Sequence, residues 1–266
     1  MTPDDTRAPP IRIDPPAPAR MFNVSLAAPA YNEEAGIEEV VRDWTNYLAS
    51  CALVGTFEIV ICNDGSKDRT GEVLDRLAAE NPRLRPLHLI ENQGAAAALT
   101  AAIRHTSLDW VLLIDSDGQF PIENLEAAIA ATVKTGGLAV IGIRARKENS
   151  TFARVGTWLS AGVSNFLHGT HLRDFNSAFK LVEGRLIRAL HLEAKGLNYS
   201  TEVTSKLIEK GVTIVEIPIT HRARDKGVSS LKLVRGASHR FLFVLYIALR
   251  QLLFKLGVLQ RSPYGP

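Results

Sequence analysis

The sequence has 266 residues, of which 46% are hydrophobic and 22% charged, enough apolar material for one large domain or two smaller ones with an ordinary soluble surface. Its net charge of +3 is unevenly spread: from Ile219 onward nine Lys/Arg stand against one acid, leaving 22 Lys/Arg against 27 acids elsewhere. The basic end points to an anionic surface or ligand, the lack of basic–aromatic interleaving argues against nucleic acid, and Cys51 and Cys62, without metal spacing, read as buried reduced thiols of a cytosolic protein.

Residues 1–20 hold six prolines, Asp4 and Asp5 but no apolar core, so they read as a disordered arm with no secretory signal. Phe22 to Ala28 predicts a first strand, closed by Pro29. After it, Ile37, Val40, Val41, Trp44, Tyr47 and Leu48 follow a helical stripe. Glu33 and Glu34 are expected in the first turn of that helix, where acids suit the dipole, or else with Glu33 facing a crevice at the strand end. A second strand (Phe57 to Cys62) ends in Asn63-Asp-Gly-Ser-Lys-Asp-Arg-Thr70 and leads to a helix carrying Val73, Leu74 and Leu77. A third strand spans Leu84 to Ile90, and Glu91-Asn-Gln-Gly94 turns into an Ala-rich helix.

Trp110 to Ile114 predicts a fourth, buried strand that stops at Asp115-Ser-Asp117. Pro121 opens the next helix, and Leu138 to Ile143 is a fifth strand. This alternation predicts an α/β fold with a mostly parallel sheet and helices on both faces. Two carboxylates one residue apart repel unless a cation lies between them, and hard oxygen ligands suit Mg²⁺ or Mn²⁺. A solvated Asp-Gly turn is the alternative for the pair alone. Acidic punctuation recurs at successive strand ends, however, with Glu33, Asp64, Asp115 and Asp117, where open α/β sheets bind ligands. GxGxxG, Walker, GxSxG and HExxH motifs are absent.

Beyond the fifth strand come Arg144, Arg146, Lys147 and Arg154, then an amphipathic stretch and Arg173-Asp-Phe-Asn-Ser-Ala-Phe-Lys180, a loop leading into a strand. A helix from about Thr201 to Lys210 precedes a strand, Thr213 to Ile217, closed by Pro218. His221 to Ser230 is basic and glycine-hinged, in the manner of a phosphate-binding loop or a solvated one. Over Leu231 to Leu256, Lys232, Arg235, His239, Arg240 and Arg250 share one helical stripe opposite Val234, Phe241, Leu245 and Leu249. The wholly apolar centre is too short to span a bilayer, which takes about 20 residues. The segment is expected to lie in an anionic membrane interface, or to pack on the body or a partner.

The ordered segments Pro29-Ala-Tyr-Asn-Glu-Glu34, Asn63 to Thr70, Asp115-Ser-Asp-Gly-Gln119, Asp174 to Lys180, and Glu216-Ile-Pro-Ile219 followed by Arg224-Asp-Lys-Gly-Val-Ser229 resemble glycosyltransferase family 2. Within it, the resemblance is to polyprenyl-phosphate sugar transferases such as dolichol-phosphate mannose synthase. It implies a GT-A fold over about 21–230, a UDP- or GDP-sugar donor and inversion in one step. The same resemblance implies that Pro29, Tyr31, Glu33, Asp64, Asp115 and Ser116 bind the nucleotide sugar. It makes Asp115, Asp117 and Gln119 the Mg²⁺ or Mn²⁺ site, and gives Asp117, Arg144, Arg154 and Arg224 the catalytic and phosphate-holding roles. Ser230 stands where that branch usually has a lysine, Asn63 where an aspartate is common, and Asp-Ser-Asp where Asp-Ala-Asp is usual.

The expected organisation is a Pro-rich arm (1–20), a catalytic domain (21–230) and a membrane-interface helix and tail (231–266), peripheral to the cytoplasmic membrane face. Self-association or a membrane-protein partner stays open as further anchoring. Two other readings stand beside this one. One is a family-2 enzyme with a hydroxyl acceptor, using Asp174 or Glu202 as base. The other is a non-catalytic protein that binds nucleotide sugars or docks on a membrane partner.

Overall fold

The computed structural model describes residues 21–144, 162, 165–166, 169–193 and 199–222. The arm over 1–20, Arg154 with most of the amphipathic stretch around it, Arg224 and Ser230 in the basic loop, and the helix expected over 231–256 lie outside the described residues. The chain passes through β1 (Phe22–Ala30), α1 (Ile37–Ser50), β2 (Val54–Asn63), α2 (Thr70–Glu80), β3 (Leu84–His88), α3 (Ala95–Arg104), β4 (Trp110–Leu113), α4 (Asn124–Thr135) and β5 (Ala139–Arg144). It continues with β6 (Lys180–Glu183), α5 (Gly184–Arg188), α6 (Tyr199–Glu209) and β7 (Ile214–Ile219).

All seven strands join one sheet in the order β3-β2-β1-β4-β6-β5-β7. Strands β1 to β4 pair in parallel, as do β5 and β7, whereas β6 runs against both β4 and β5. Every strand but β6 therefore ends at the same edge, and β6 starts there. The chain just before Lys180 is thus delivered to the edge where the acidic strand ends gather.

Near-continuous apolar runs make the inner strands buried on both faces. One face packs on α1, α2 and α4 through Trp44, Leu74 and Ile129; the other packs on α3, α5 and α6 through Leu99, Ile187 and Val203. Cys62 lies in the second of these cores, its thiol pushed up to about 12 by burial and by the nearby Asp64 charge. Among the described residues both cysteines are free thiols.

Two strands outrun their prolines. β1 includes Pro29 and reaches Ala30, and β7 includes Pro218 and reaches Ile219. On the β4 side, Ala27 O accepts from Ile114 N and Pro29 O accepts from Ser116 Oγ, but β4 itself stops at Leu113. The N–H that Pro29 lacks would face a gap beyond β4, so no ladder bond is lost. β7 and β3, which holds Pro86, are the two edge strands, where proline is tolerated. Glu33 and Glu34 do not sit in the first turn of α1, which starts at Ile37 and has Glu38 and Glu39 there. Asn32, between β1 and α1, sits in the left-handed region at φ 54°.

Candidate active site

Two loops form the floor beyond β1 and β2, and they are tied together reciprocally. Asn32 N donates to Ser66 Oγ, Glu33 N to Thr70 Oγ1, and Lys67 N to Asn32 Oδ1, all at 2.9 Å. Glu34 N donates to Asp68 Oδ2 and Arg69 N to Glu34 Oε2. Pro29, Tyr31 and Glu33 are thereby fixed at the sheet edge beside the Asn63–Thr70 loop. Asp64 is buried, and its carboxylate accepts from Gln93 N (2.7 Å), Gly94 N (2.9 Å) and Asn92 Nδ2 (3.0 Å). Burial pushes Asp64 upward in spite of those amides. These three contacts make it the anchor of the turn into α3.

Asp115-Ser-Asp117 follows β4. Ser116 is buried, and its hydroxyl donates to Pro29 O at 2.7 Å, which pins the motif to β1. Asp117 Oδ1 accepts from Gln119 N at 3.1 Å across Gly118, whose φ of 72° suits glycine. Asp115 Oδ1 accepts from the Tyr199 hydroxyl at the start of α6. Burial first, and then the charge of Asp117, push the Asp115 carboxyl up to about 6, against the pull of Tyr199, Arg144 and Lys180.

Arg144, at the end of β5, is not a free cation: its Nε and Nη2 clamp both oxygens of Asp174 at 2.8 and 3.0 Å. That bidentate pair outweighs the desolvation of the guanidinium and raises its pKa further. Lys180, at the start of β6, is 1% exposed and donates to Ser177 O and to Ser200 Oγ. Burial brings its ammonium down to about 7, opposed by the charge of Asp174.

The loop after β7 meets the same motif. Arg222 N donates to Gln119 O (2.8 Å), and Asn124 exchanges hydrogen bonds with Thr220 N and O. Gln119 Nε2 faces Arg222 O at 3.5 Å. The chain leading to Arg224 therefore departs from beside Asp115–Gln119. Pro29, Tyr31, Glu33, Asp64, Asp115, Ser116, Asp117, Gln119 and Arg144 all lie at this one edge, whereas Glu202 pairs with Lys206 and accepts from Glu193 N.

Three contacts escaped the sequence reading. Tyr199 and Lys180 reach the site from α6 and β6, neither of which announces its register. The third is Asn63 Nδ2, which meets His88 Nδ1 at 3.1 Å while His88 Nε2 meets Asp75 at 3.0 Å. With Nε2 carrying the proton toward Asp75, Nδ1 accepts from an amide, which accounts for asparagine at position 63.

Hard oxygen donors at Asp115 and Asp117, with repulsion that raises one of them, fit a divalent cation. Among the described residues no three His, Cys, Asp or Glu side chains gather as a closed metal cage. An ion held by this pair would keep positions open for phosphate oxygens.

A family model described as glycosyl transferase family 2 matches residues 25–193. A dolichyl-phosphate beta-glucosyltransferase of Trichomonas vaginalis is 34% identical over 76% of this chain and 66% of its own length. An undecaprenyl-phosphate 4-deoxy-4-formamido-L-arabinose transferase of Edwardsiella ictaluri is 30% identical over 80% of this chain and 64% of its own. The chain thus spans slightly under two thirds of both relatives. Among solved structures, glucosyl-3-phosphoglycerate synthase of Mycobacterium tuberculosis with Mn²⁺, UDP-glucose and phosphoglyceric acid superposes with a TM-score of 0.64. It is 19% identical over 85% of this chain and 79% of that one, a likeness of fold that bears out the GT-A type architecture.

Proposed function

The chain belongs to glycosyltransferase family 2, and we propose that it moves a sugar from a nucleotide-sugar donor to a polyprenyl phosphate, with inversion at the anomeric carbon. The observation that carries this choice of acceptor is the state of the two carboxylates offered as a base. Asp174 is clamped by Arg144, and Glu202, 2% exposed, pairs with Lys206 at 2.7 Å and accepts from Glu193 N at 2.8 Å. A hydroxyl acceptor needs such a base; a phosphate monoester, with a second pKa of about 6, arrives already anionic. The two relatives described above each carry a polyprenyl phosphate in their names.

In this reading the acceptor phosphate oxygen forms a bond to the anomeric carbon as the bond to the nucleoside diphosphate breaks, and the leaving group departs with that electron pair. Asp115, Asp117 and Gln119 would hold Mg²⁺ or Mn²⁺, which when bound supplies positive charge against the departing diphosphate. Mn²⁺ accompanies UDP-glucose in the solved relative. Pro29, Tyr31, Glu33, Asp64 and Ser116 build the nucleoside side, Asp64 and Ser116 by fixing the loops around it. Arg144 keeps its charge beside Asp115 while Asp174 orients it, and Arg154 and Arg224 supply the phosphate-binding cations. Residues 21–230 form the catalytic unit, and 231–266 hold it peripherally at the cytoplasmic membrane face.

Incubation with Mg²⁺ or Mn²⁺, a panel of UDP- and GDP-sugars and a short polyprenyl phosphate should yield chloroform-soluble sugar. Exclusively water-soluble glycan would reject the phosphate acceptor, and donor binding without turnover would reject catalysis. Asp117→Asn is expected to abolish metal-dependent donor binding in calorimetry; unchanged binding would sink the cation assignment.

A further inference from the structure

The first turn of α6 is unusually polar for a helix packed under a sheet. Tyr199, Ser200, Thr201 and Thr204 are all buried. Ser200 donates to Ser177 O, Thr201 to Asn176 Oδ1 and Thr204 to Phe175 O, so this turn holds the loop that carries Asp174. Tyr199 alone turns to the other side of the site and donates to Asp115, 84 residues away in sequence.

Packing does not explain the hydroxyl. The ring of Tyr199 belongs to the apolar core with Val203 and Leu207, a place that phenylalanine would fill equally well. A buried phenol needs a partner, and here the partner is one of the two carboxylates next to which negative charge is least welcome. Burying a hydroxyl merely to fill space, without that bond, would be unfavourable. Carboxylates that bind cations are commonly oriented by such an outer hydrogen bond, whose removal costs about 10–100-fold in metal affinity.

We infer that Tyr199 is a positioning residue for the cation pair: its hydroxyl holds Asp115 through Oδ1 and so fixes the carboxylate that, with Asp117, would hold the ion. The inference rests on the cation assignment made above. It also makes α6 the common mount of both halves of the site, the aspartate pair through Tyr199 and the Asp174 loop through its neighbours.

The test titrates full-length protein with Mn²⁺ in the presence of UDP, and separately of GDP, reading free Mn²⁺ by electron paramagnetic resonance. Tyr199→Phe should weaken Mn²⁺ binding about 10–100-fold. The unfolding midpoint without Mn²⁺ should stay near that of the wild type, and donor turnover should recover at saturating Mn²⁺. Mn²⁺ affinity within twofold of wild type would overturn the role of Tyr199. If Tyr199→Phe lowers the midpoint, the Asp115→Asn background decides. There the second substitution should cost no further Mn²⁺ affinity, and an undiminished further loss would mean that the hydroxyl acts through packing. Asp117→Asn separates the two levels of the argument: if it too binds Mn²⁺ as wild type does, the cation reading itself falls. If only Tyr199→Phe does, the cation reading stands and the inference fails.

Discussion

At the scale of single residues, the clearest polar decision lies at the end of the sheet opposite the site. Glu58 is 8% exposed, yet its carboxylate accepts from Ser25 Oγ (2.7 Å), Ser107 N and Oγ, and Arg85 Nη1 (2.8 Å). Burial alone would raise its pKa, but these donors outweigh burial and hold it below the usual carboxylate range. A carboxylate depressed in the folded state adds stability above its unfolded pKa of about 4.3, and that stability is lost as pH falls through the folded value. Glu58→Gln keeps the shape but turns one acceptor oxygen into a donor facing other donors, at an expected cost of about 1–3 kcal/mol. Urea unfolding at pH 7 should show this loss. In acid, below the carboxylate range, the difference between variant and wild type should shrink. A difference that does not change with pH would assign the cost to packing.

At the scale of elements, the loops after β2 and β3 meet where only glycine fits. Gly65 has a φ of 62°, and a Cβ there would lie 2.5 Å from the Glu91 carbonyl carbon and 2.6 Å from Asn92 N. Gly65→Ala should cost about 1–3 kcal/mol from the left-handed backbone alone, and more where residues 91–92 must shift. Because Asp64 anchors the same turn, donor affinity should fall along with the midpoint of unfolding; intact donor affinity would detach the 91–94 turn from the site. The sequence made much of this region legible. The α1 stripe, the apolar runs of β1, β2 and β4, and the acids that close them follow from periodicity and burial, and those acids meet at one edge because β1, β2 and β4 are parallel. What it hid was contingent on pairing. β6 is only four residues long and antiparallel, so nothing in Lys180–Glu183 marks it as the strand between β4 and β5. With it went the placement of Asp174 on Arg144 and of Tyr199 on Asp115, contacts across 30 and 84 residues that no local spacing encodes. Pro29 and Pro218 misplaced the ends of β1 and β7 because a missing N–H matters only on the side where a neighbouring strand stands.

At the scale of the whole molecule, charge and topology divide the labour. The strand ends put the acids, and hence the proposed donor site, at one edge, and the chain leaves β7 at that edge beside Gln119. From there on it turns basic: residues 231–266 hold six Lys/Arg and no acid around an apolar centre. No helix of the described residues is long and apolar enough to cross a membrane; the proposal assigns the membrane contact to this segment on its basic and apolar composition alone. Each Lys or Arg at an anionic surface contributes about 1 kcal/mol, a share that weakens as the Debye length drops from about 10 Å at 0.1 M to about 3 Å at 1 M salt. Burial of the apolar face does not weaken in that way. Full-length protein is therefore expected to sediment with phosphatidylglycerol liposomes at low salt and to be released only in part at 1 M. A chain ending at Ser230 should stay in the supernatant while still binding the donor, since the acids proposed to bind it lie before that point. Equal sedimentation of the two chains would remove the interfacial role from 231–266 and place the membrane contact on the body.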